Sequence, residues 1–201
     1  MISIKWPLFK KTKRLILRPL EISDYENWRQ SYTNMHPARN EWDESPWADS
    51  ELTLKKFKEL LKNQKDLSHK DQFYEMGIFR KDDGVFIGVV SLMDVSRKIF
   101  QNAYLGYKIF NIYWGQGYAS EACRGMLEIG FKDLGLHRIE AGIGPSNKLS
   151  IRVAKAIGLR KEGLSRKRLF VDKQWVDVAL YAATCEDFGL KFKPKTKRLL
   201  N

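Results

Sequence analysis

The sequence predicts a single domain of the α/β class, and three features predict it. Tyr104–Ile109 reads as a strand, Trp114–Gly117 as a glycine turn, and the residues from Gly117 to about Leu134 as an amphipathic helix. Elsewhere apolar residues recur at a period of two in some stretches and at three-and-four spacing in others. Two apolar runs are separated by Lys81-Asp82-Asp83-Gly84, where Asp-Gly signals a β-hairpin.

Taken in order, Arg14–Arg18 alternates and stops at Pro19, as a first strand would. Ser23 or Asp24 can cap a helix through Trp28 to about Ser31. Asn40–Trp47 is a loop dense in acid and tryptophan. Asp49 or Ser50 then opens a second helix with Leu52, Phe57, Leu60 and Leu61 on one face and lysines elsewhere. Strands follow at Phe73–Arg80, Val85–Met93 and Ala103–Ile109. The helix after the glycine turn carries Ala119, Ala122, Cys123, Met126, Leu127, Gly130 and Leu134 as one stripe, with Gly125 and Gly130 expected to permit close packing on the sheet. Arg138–Ile143 is a short strand. Asn147 caps a helix whose Leu149, Val153 and Ile157 should face inward, and Gly158 ends it. Two last strands, Leu164–Val171 and Gln174–Ala183, join through Asp172-Lys173.

Composition narrows the class. A chain of 201 residues suits one domain with a real core, and 43% apolar with 12% aromatic residues argues against disorder. Cys123 and Cys185 offer at most one disulfide, and lysines interrupt the N-terminal stretch where a signal peptide would be apolar. A reducing cytoplasm is the expected setting, with no membrane span. The net charge of +12 sits at the ends: residues 1–18 hold six Lys/Arg and residues 190–201 hold five, with no acid in either. Between them 25 basic residues face 24 acidic ones. Such ends are solvated tails or a contact for a polyanion, RNA above all, because cations gain by releasing counterions from phosphates.

The glycine turn carries the chemistry. A strand, a turn free of side chains and a helix start aim several backbone N–H groups at one point, at the positive end of a helix dipole. A pyrophosphate suits that place, and glycine lets it approach the backbone.

Across Trp114–Ala119 the residues resemble the acyl-CoA loop of the GNAT acetyltransferases, Q/R-x-x-G-x-G/A. Leu136–Glu140, Asn147 to Ser150 and Gly158–Gly163 then follow in the order of the RimJ/RimL branch, the ribosomal-protein N-terminal acetyltransferases. The resemblance covers about residues 85–185. It implies a GNAT fold: a central mixed, mostly antiparallel sheet of about seven strands, about four flanking helices, and a splay at the acyl-CoA site. The domain core would span about 14–185, with a basic tail at 190–201.

By the same resemblance acetyl-CoA is the co-substrate. The backbone of Gly115, Gln116, Gly117, Tyr118, Ala119 and Ser120 would hold its pyrophosphate. The N–H near Ile109 would face the thioester oxygen, where a fixed donor acts on charge developing in the transition state. Asn147 would contact the CoA arm and Ser150 would protonate the departing thiolate; the plain alternative is that both only cap their helix. The first two helices would wall the acceptor cleft. The acceptor implied is the N-terminal α-amine of a protein, ribosomal in this branch, acted on by a monomer or weak homodimer.

The chain departs from the family's usual pattern in three places. Ala154 stands where many relatives place a tyrosine, and Arg166-Lys167-Arg168-Leu169 where many place a glutamate. Gly142 fills another usual base position, and Glu140 lies two residues from it on the same face, so no general base is assigned. An α-amine with a pKa of about 7.7–8 tolerates this, whereas a lysine at about 10.4 is neutral only to about one part in a thousand near neutral pH. His36, His69 and His137 are too dispersed to suggest a metal, and neither cysteine has a CxxC partner. Trp42 and Trp47 with Glu41, Asp43 and Glu44 form either a receiver for a basic peptide N-terminus or an ordinary loop. A small amine such as a polyamine or an aminoglycoside is the rival acceptor. A non-catalytic ribosome- or RNA-binding module on a GNAT scaffold is the rival of another class.

Overall fold

Leu15 and Leu17 are buried while Ile16 and Arg18 are only half-buried, which is the alternation of a strand with one face on a core. In the computed structural model, which describes residues 7–171 and 173–195, this strand (β2, Leu15–Arg18) pairs with a two-residue strand that the sequence does not announce, β1 (Lys10–Lys11). The remaining strands are β3 (Tyr74–Arg80), β4 (Phe86–Ser96), β5 (Asn102–Ile109), β6 (Arg138–Ile143), β7 (Arg160–Val171) and β8 (Gln174–Thr184). They form one sheet of order β1-β2-β3-β4-β5-β6-β8-β7. Every pairing is antiparallel except β5 with β6.

Helices cover both faces. α1 (Tyr25–Thr33) and α2 (Leu54–His69) pack on one side, around Trp28, Tyr32, Phe57, Phe86 and Phe110. α3 (Tyr118–Glu128) and α4 (Lys148–Ala156) pack on the other, over Leu17, Met76, Val90, Met126 and Ile139. Gly125 and Gly130 do bring α3 close to the sheet: a Cβ at either would fall 2.7 Å from Leu17 and 2.5 Å from Ile139.

Several boundaries differ from the sequence reading. Asp49–Glu51 forms a 3-10 turn, and α2 starts only after Thr53, whose hydroxyl accepts the Lys56 N–H at 3.2 Å. Asp24 precedes α1 without capping it; its buried carboxylate instead takes both arms of the Arg18 guanidinium at 2.7 Å and the Glu21 N–H. The stripe of α3 continues to Leu134 through a π-turn over Ile129–Asp133. β7 begins at Arg160 and is exposed along nearly its whole length, as an edge strand.

The basic ends are partly engaged. Lys10, Arg14 and Arg18 pair with Glu128, Glu121 and Asp24. Leu190 packs on the core, Phe192 meets His137 edge-on, and Lys195 donates to the Lys132 carbonyl at 2.6 Å. Residues 1–6 and 196–201, part of those basic ends, lie outside the described residues. Among the described residues no helix is long and apolar enough to cross a membrane.

The feature that positions the site is a fork in the sheet. β5 and β6 pair only over Asn102–Tyr104 with Arg138–Glu140. Beyond that, β5 keeps to β4 and β6 keeps to β8, so the two parallel strands part.

Candidate active site

The fork opens into a cavity of about 650 Å³. One wall is the glycine turn with the start of α3, and the opposite wall is α4. The end of β5 forms the floor and the loop carrying Trp42, Asp43 and Glu44 forms the rim. A narrower space of about 240 Å³ continues between the parted strands, sharing Trp42, Tyr107, Asn147 and Ser150 with the main cavity.

Gly115 and Gly117 have φ of 81° and 78°, a conformation that excludes most side chains, and Gly117 is the residue on which α3 starts. A Cβ at Gly115 would meet nothing within 4 Å, so the turn is free of neighbouring atoms there. The first backbone hydrogen bond of the helix is donated by the Glu121 N–H to the Gly117 carbonyl at 3.2 Å, which leaves the N–H groups of Tyr118, Ala119 and Ser120 without acceptors inside the helix. This is a cradle for an anion, and Arg152 on the facing wall adds a cation. The chemistry fits the pyrophosphate of acetyl-CoA.

Arg14 holds the turn in place, which the sequence did not reveal. Its guanidinium donates to the Gln116 carbonyl at 2.9 Å and to Glu121 at 2.7 Å, and it stacks on Tyr118 at 4.4 Å. Burial alone would raise the pKa of Glu121, but the hydrogen bonds from Thr12 and Arg14 outweigh it and hold the carboxyl below its usual range. Gln116, expected among the binding residues, is exposed and does not line the cavity; its carbonyl is spent on Arg14. Gly115, Gly117, Tyr118, Ala119, Ser120, Ile109, Asn147 and Ser150 all do line it.

Asn147 caps α4, its Oδ1 accepting the Ser150 N–H at 3.0 Å. The Ser150 hydroxyl points elsewhere and accepts from the Tyr107 hydroxyl at 3.1 Å. Burial pushes the Tyr107 phenol up to about 12, against a smaller opposing pull from Ser150, so it stays protonated at any ordinary pH. Ala154 leaves no phenol on α4 at that position, and Tyr107 supplies one from β5. Leu149, expected to face inward, is half exposed at the cavity wall. The β5 end is fixed by Trp114, whose indole N–H donates to the Ile109 carbonyl at 2.6 Å.

The acidic loop is docked on the cleft. Asn111, buried, holds it by bonds to the His36 backbone and to Asp43 at 2.8–2.9 Å. The Trp42 ring lies against Gly144, where a Cβ would fall 2.2 Å from it. Glu44 accepts from the Trp47 indole and from the Lys108 ammonium, which also reaches the Tyr32 hydroxyl at 2.7 Å. Burial alone would lower the Lys108 pKa, but Tyr32 and Glu44 overcome it and keep the ammonium charged. Glu140 is committed to Asn102 at 2.8 Å and Arg138 at 2.9 Å, away from the cavity. At the other end of the sheet, His137, Cys185 and Glu186 present ligand atoms within 4.8 Å of one another, joined by a His137–Glu186 contact of 3.1 Å.

Comparisons with known proteins agree with this geometry. Residues 14–160 match the family described as Acetyltransferase (GNAT) domain. The chain is 33% identical over 169 residues to “Probable N-acetyltransferase YjcK” of Bacillus subtilis (strain 168), covering 83% of this chain and 92% of that one. It is 35% identical over 116 residues to the [ribosomal protein uS5]-alanine N-acetyltransferase of Escherichia coli (strain K12), 58% of this chain and 59% of that one. Mycobacterium smegmatis RimJ in complex with CoA-disulfide superposes with a TM-score of 0.76 at 25% identity, over 92% and 91% of the two chains.

Proposed function

The chain belongs to the GNAT acetyltransferase family and is an N-acetyltransferase, and from that premise we propose that it acetylates the N-terminal α-amine of a protein, a ribosomal protein being the favoured acceptor. The whole sheet then serves one catalytic domain. Acetyl-CoA lies with its pyrophosphate on the backbone of Gly115 and residues 117–120 and its thioester in the fork, between Ile109 and Ser150.

The observation that carries the acceptor class is that both carboxylates lining the cleft are already engaged, Asp43 by Asn111 and Glu44 by Lys108 and Trp47. With both tied up, the acceptor has to arrive already partly neutral. An α-amine at about 7.7–8 meets that condition near pH 7.5 without a dedicated base, whereas a lysine at about 10.4 remains charged. The neutral amine attacks the thioester carbon, and backbone N–H donors at the end of β5 stabilise the oxyanion. On collapse the C–S bond breaks. Ser150 gives its proton to the thiolate and receives one from Tyr107, and the proton lost by the acceptor nitrogen returns through solvent. Trp42, Asp43 and Glu44 line the route by which a peptide end reaches the fork. The uS5-alanine acetyltransferase similarity supports a ribosomal protein as that peptide.

The test is a matched peptide pair, one with a free α-amine and one blocked there and offering a lysine, assayed near pH 7.5, together with mass spectrometry of ribosomal proteins from cells with and without the gene. The free α-amine should be favoured at least about tenfold, as the difference in neutral amine requires. Preference for the lysine peptide or for a polyamine overturns this acceptor.

A further inference from the structure

On β7 every residue from Arg166 to Val171 is exposed, and so are Lys173, Gln174 and Trp175 at the start of β8. β6 supports β8 only as far as Ile143 opposite Ala179, so the distal hairpin overhangs the end of the sheet. Its arms are pinned. The register slips between Ser165 and Leu169, and Lys167 takes a φ of 47° at this bulge. The Lys167 N–H donates to Asp177 at 2.8 Å and the Arg168 guanidinium donates to the Tyr104 hydroxyl at 3.0 Å. Phe170 and Trp175 are direct cross-strand partners with ring centroids 5.4 Å apart, yet they are 62% and 61% exposed. Leu164, Leu169 and Val171 around them are nearly half exposed. A hairpin held this firmly, with its largest rings in water, is not explained by its own stability.

We propose that the distal β7–β8 hairpin binds single-stranded RNA, with Phe170 and Trp175 stacking on bases and Arg166, Lys167 and Lys173 meeting phosphates. The composition of the patch selects this occupant. Between Leu164 and Val176 there are four cations and one acid. Docking of the patch on its own copy about a two-fold axis would set those cations against themselves. Exposed rings interleaved with Lys and Arg match the two demands of an unpaired strand, a π-face for each base and a cation for each phosphate. None of these residues lines the acetyl-transfer cavity, so the inference stands apart from the acceptor assigned above.

The test is fluorescence anisotropy of the full chain with a fluorescein-labelled single-stranded RNA of about 12 nucleotides, a length of the order that one stacking platform covers. Binding should weaken with salt at a slope of about −2 in log–log form, as three phosphate contacts on a single strand require. The double variant Phe170→Ala/Trp175→Ala should bind at least about fivefold more weakly at an unchanged slope. Arg166→Gln/Lys173→Gln should flatten the slope by about one. Both variants should retain acetylation of a short free peptide, which shows that they fold. RNA affinity unchanged in the ring variant overturns the proposal. So does equal competition by poly-glutamate, which marks an acidic protein partner, or a dimer by light scattering that only the ring variant dissociates.

Discussion

The Tyr107 hydroxyl lies 3.1 Å from Ser150 Oγ, joining the strand that floors the acyl site to the helix that Asn147 caps. In the proposed mechanism the two hydroxyls act as one proton-delivering unit: Ser150 lines the fork and Tyr107 can reprotonate it. Tyr107→Phe should lower kcat about 10–100-fold while moving the acetyl-CoA KM much less, the signature of a group that acts in the transition state. Ser150→Ala should cost at least as much, and the double variant no more than Ser150→Ala alone. Because the phenol titrates only near about 12, the rate should not fall on the alkaline side through loss of this proton before about pH 10. Steady-state kinetics of the three variants decide it; fully additive losses would separate the two residues.

Gly117 joins the turn to α3 at a φ of 78°. A valine there is strained because a β-branched residue rarely adopts this φ, although its Cβ would only come into ordinary contact with the Arg14 guanidinium at 3.5 Å. Gly117→Val should abolish acetyl-CoA binding measured by calorimetry, with circular dichroism confirming that the sheet persists. Gly115→Ala meets nothing within 4 Å and should bind measurably, though more weakly. Wild-type affinity in the valine variant would remove the turn from the site.

Glu75 sits on β3 beneath α2, and burial raises its pKa against the weaker opposing effects of Gln64 and Lys108. A carboxyl raised on folding binds its proton more tightly in the native state. The sign follows: the native state is unpenalised at pH below the unfolded value near 4.3, and stability falls as pH rises from there through the folded value. Glu75→Gln should therefore raise the melting temperature near pH 7, each kcal/mol gained appearing as about 2–4 °C for a chain of this size. The gain should vanish near pH 4. A variant less stable than wild type at both pH values would mean that the charge is compensated in the fold.

The sequence by itself determined the strands and helices that carry the site. The alternation of β2, the stripe of α3, the Asn147 cap and the two glycines are local signals, written within a few residues of the backbone they shape. The fork was implied only by resemblance to the family, since nothing in the local pattern of β5 or β6 says where their pairing stops.

Tertiary structure alone decided which side chains meet there. Arg14 reaches Gln116 and Glu121 from the turn between β1 and β2, Lys108 reaches Glu44 from across the cleft, and Tyr107 supplies the phenol that Ala154 does not. Leu149 fits an inward stripe by spacing and yet faces the cavity, because the splay leaves no sheet beneath it. Periodicity fixes which face of an element a residue occupies, but the partner on that face depends on the register and divergence of strands far apart in the chain. Those are set by packing of the whole sheet against its helices.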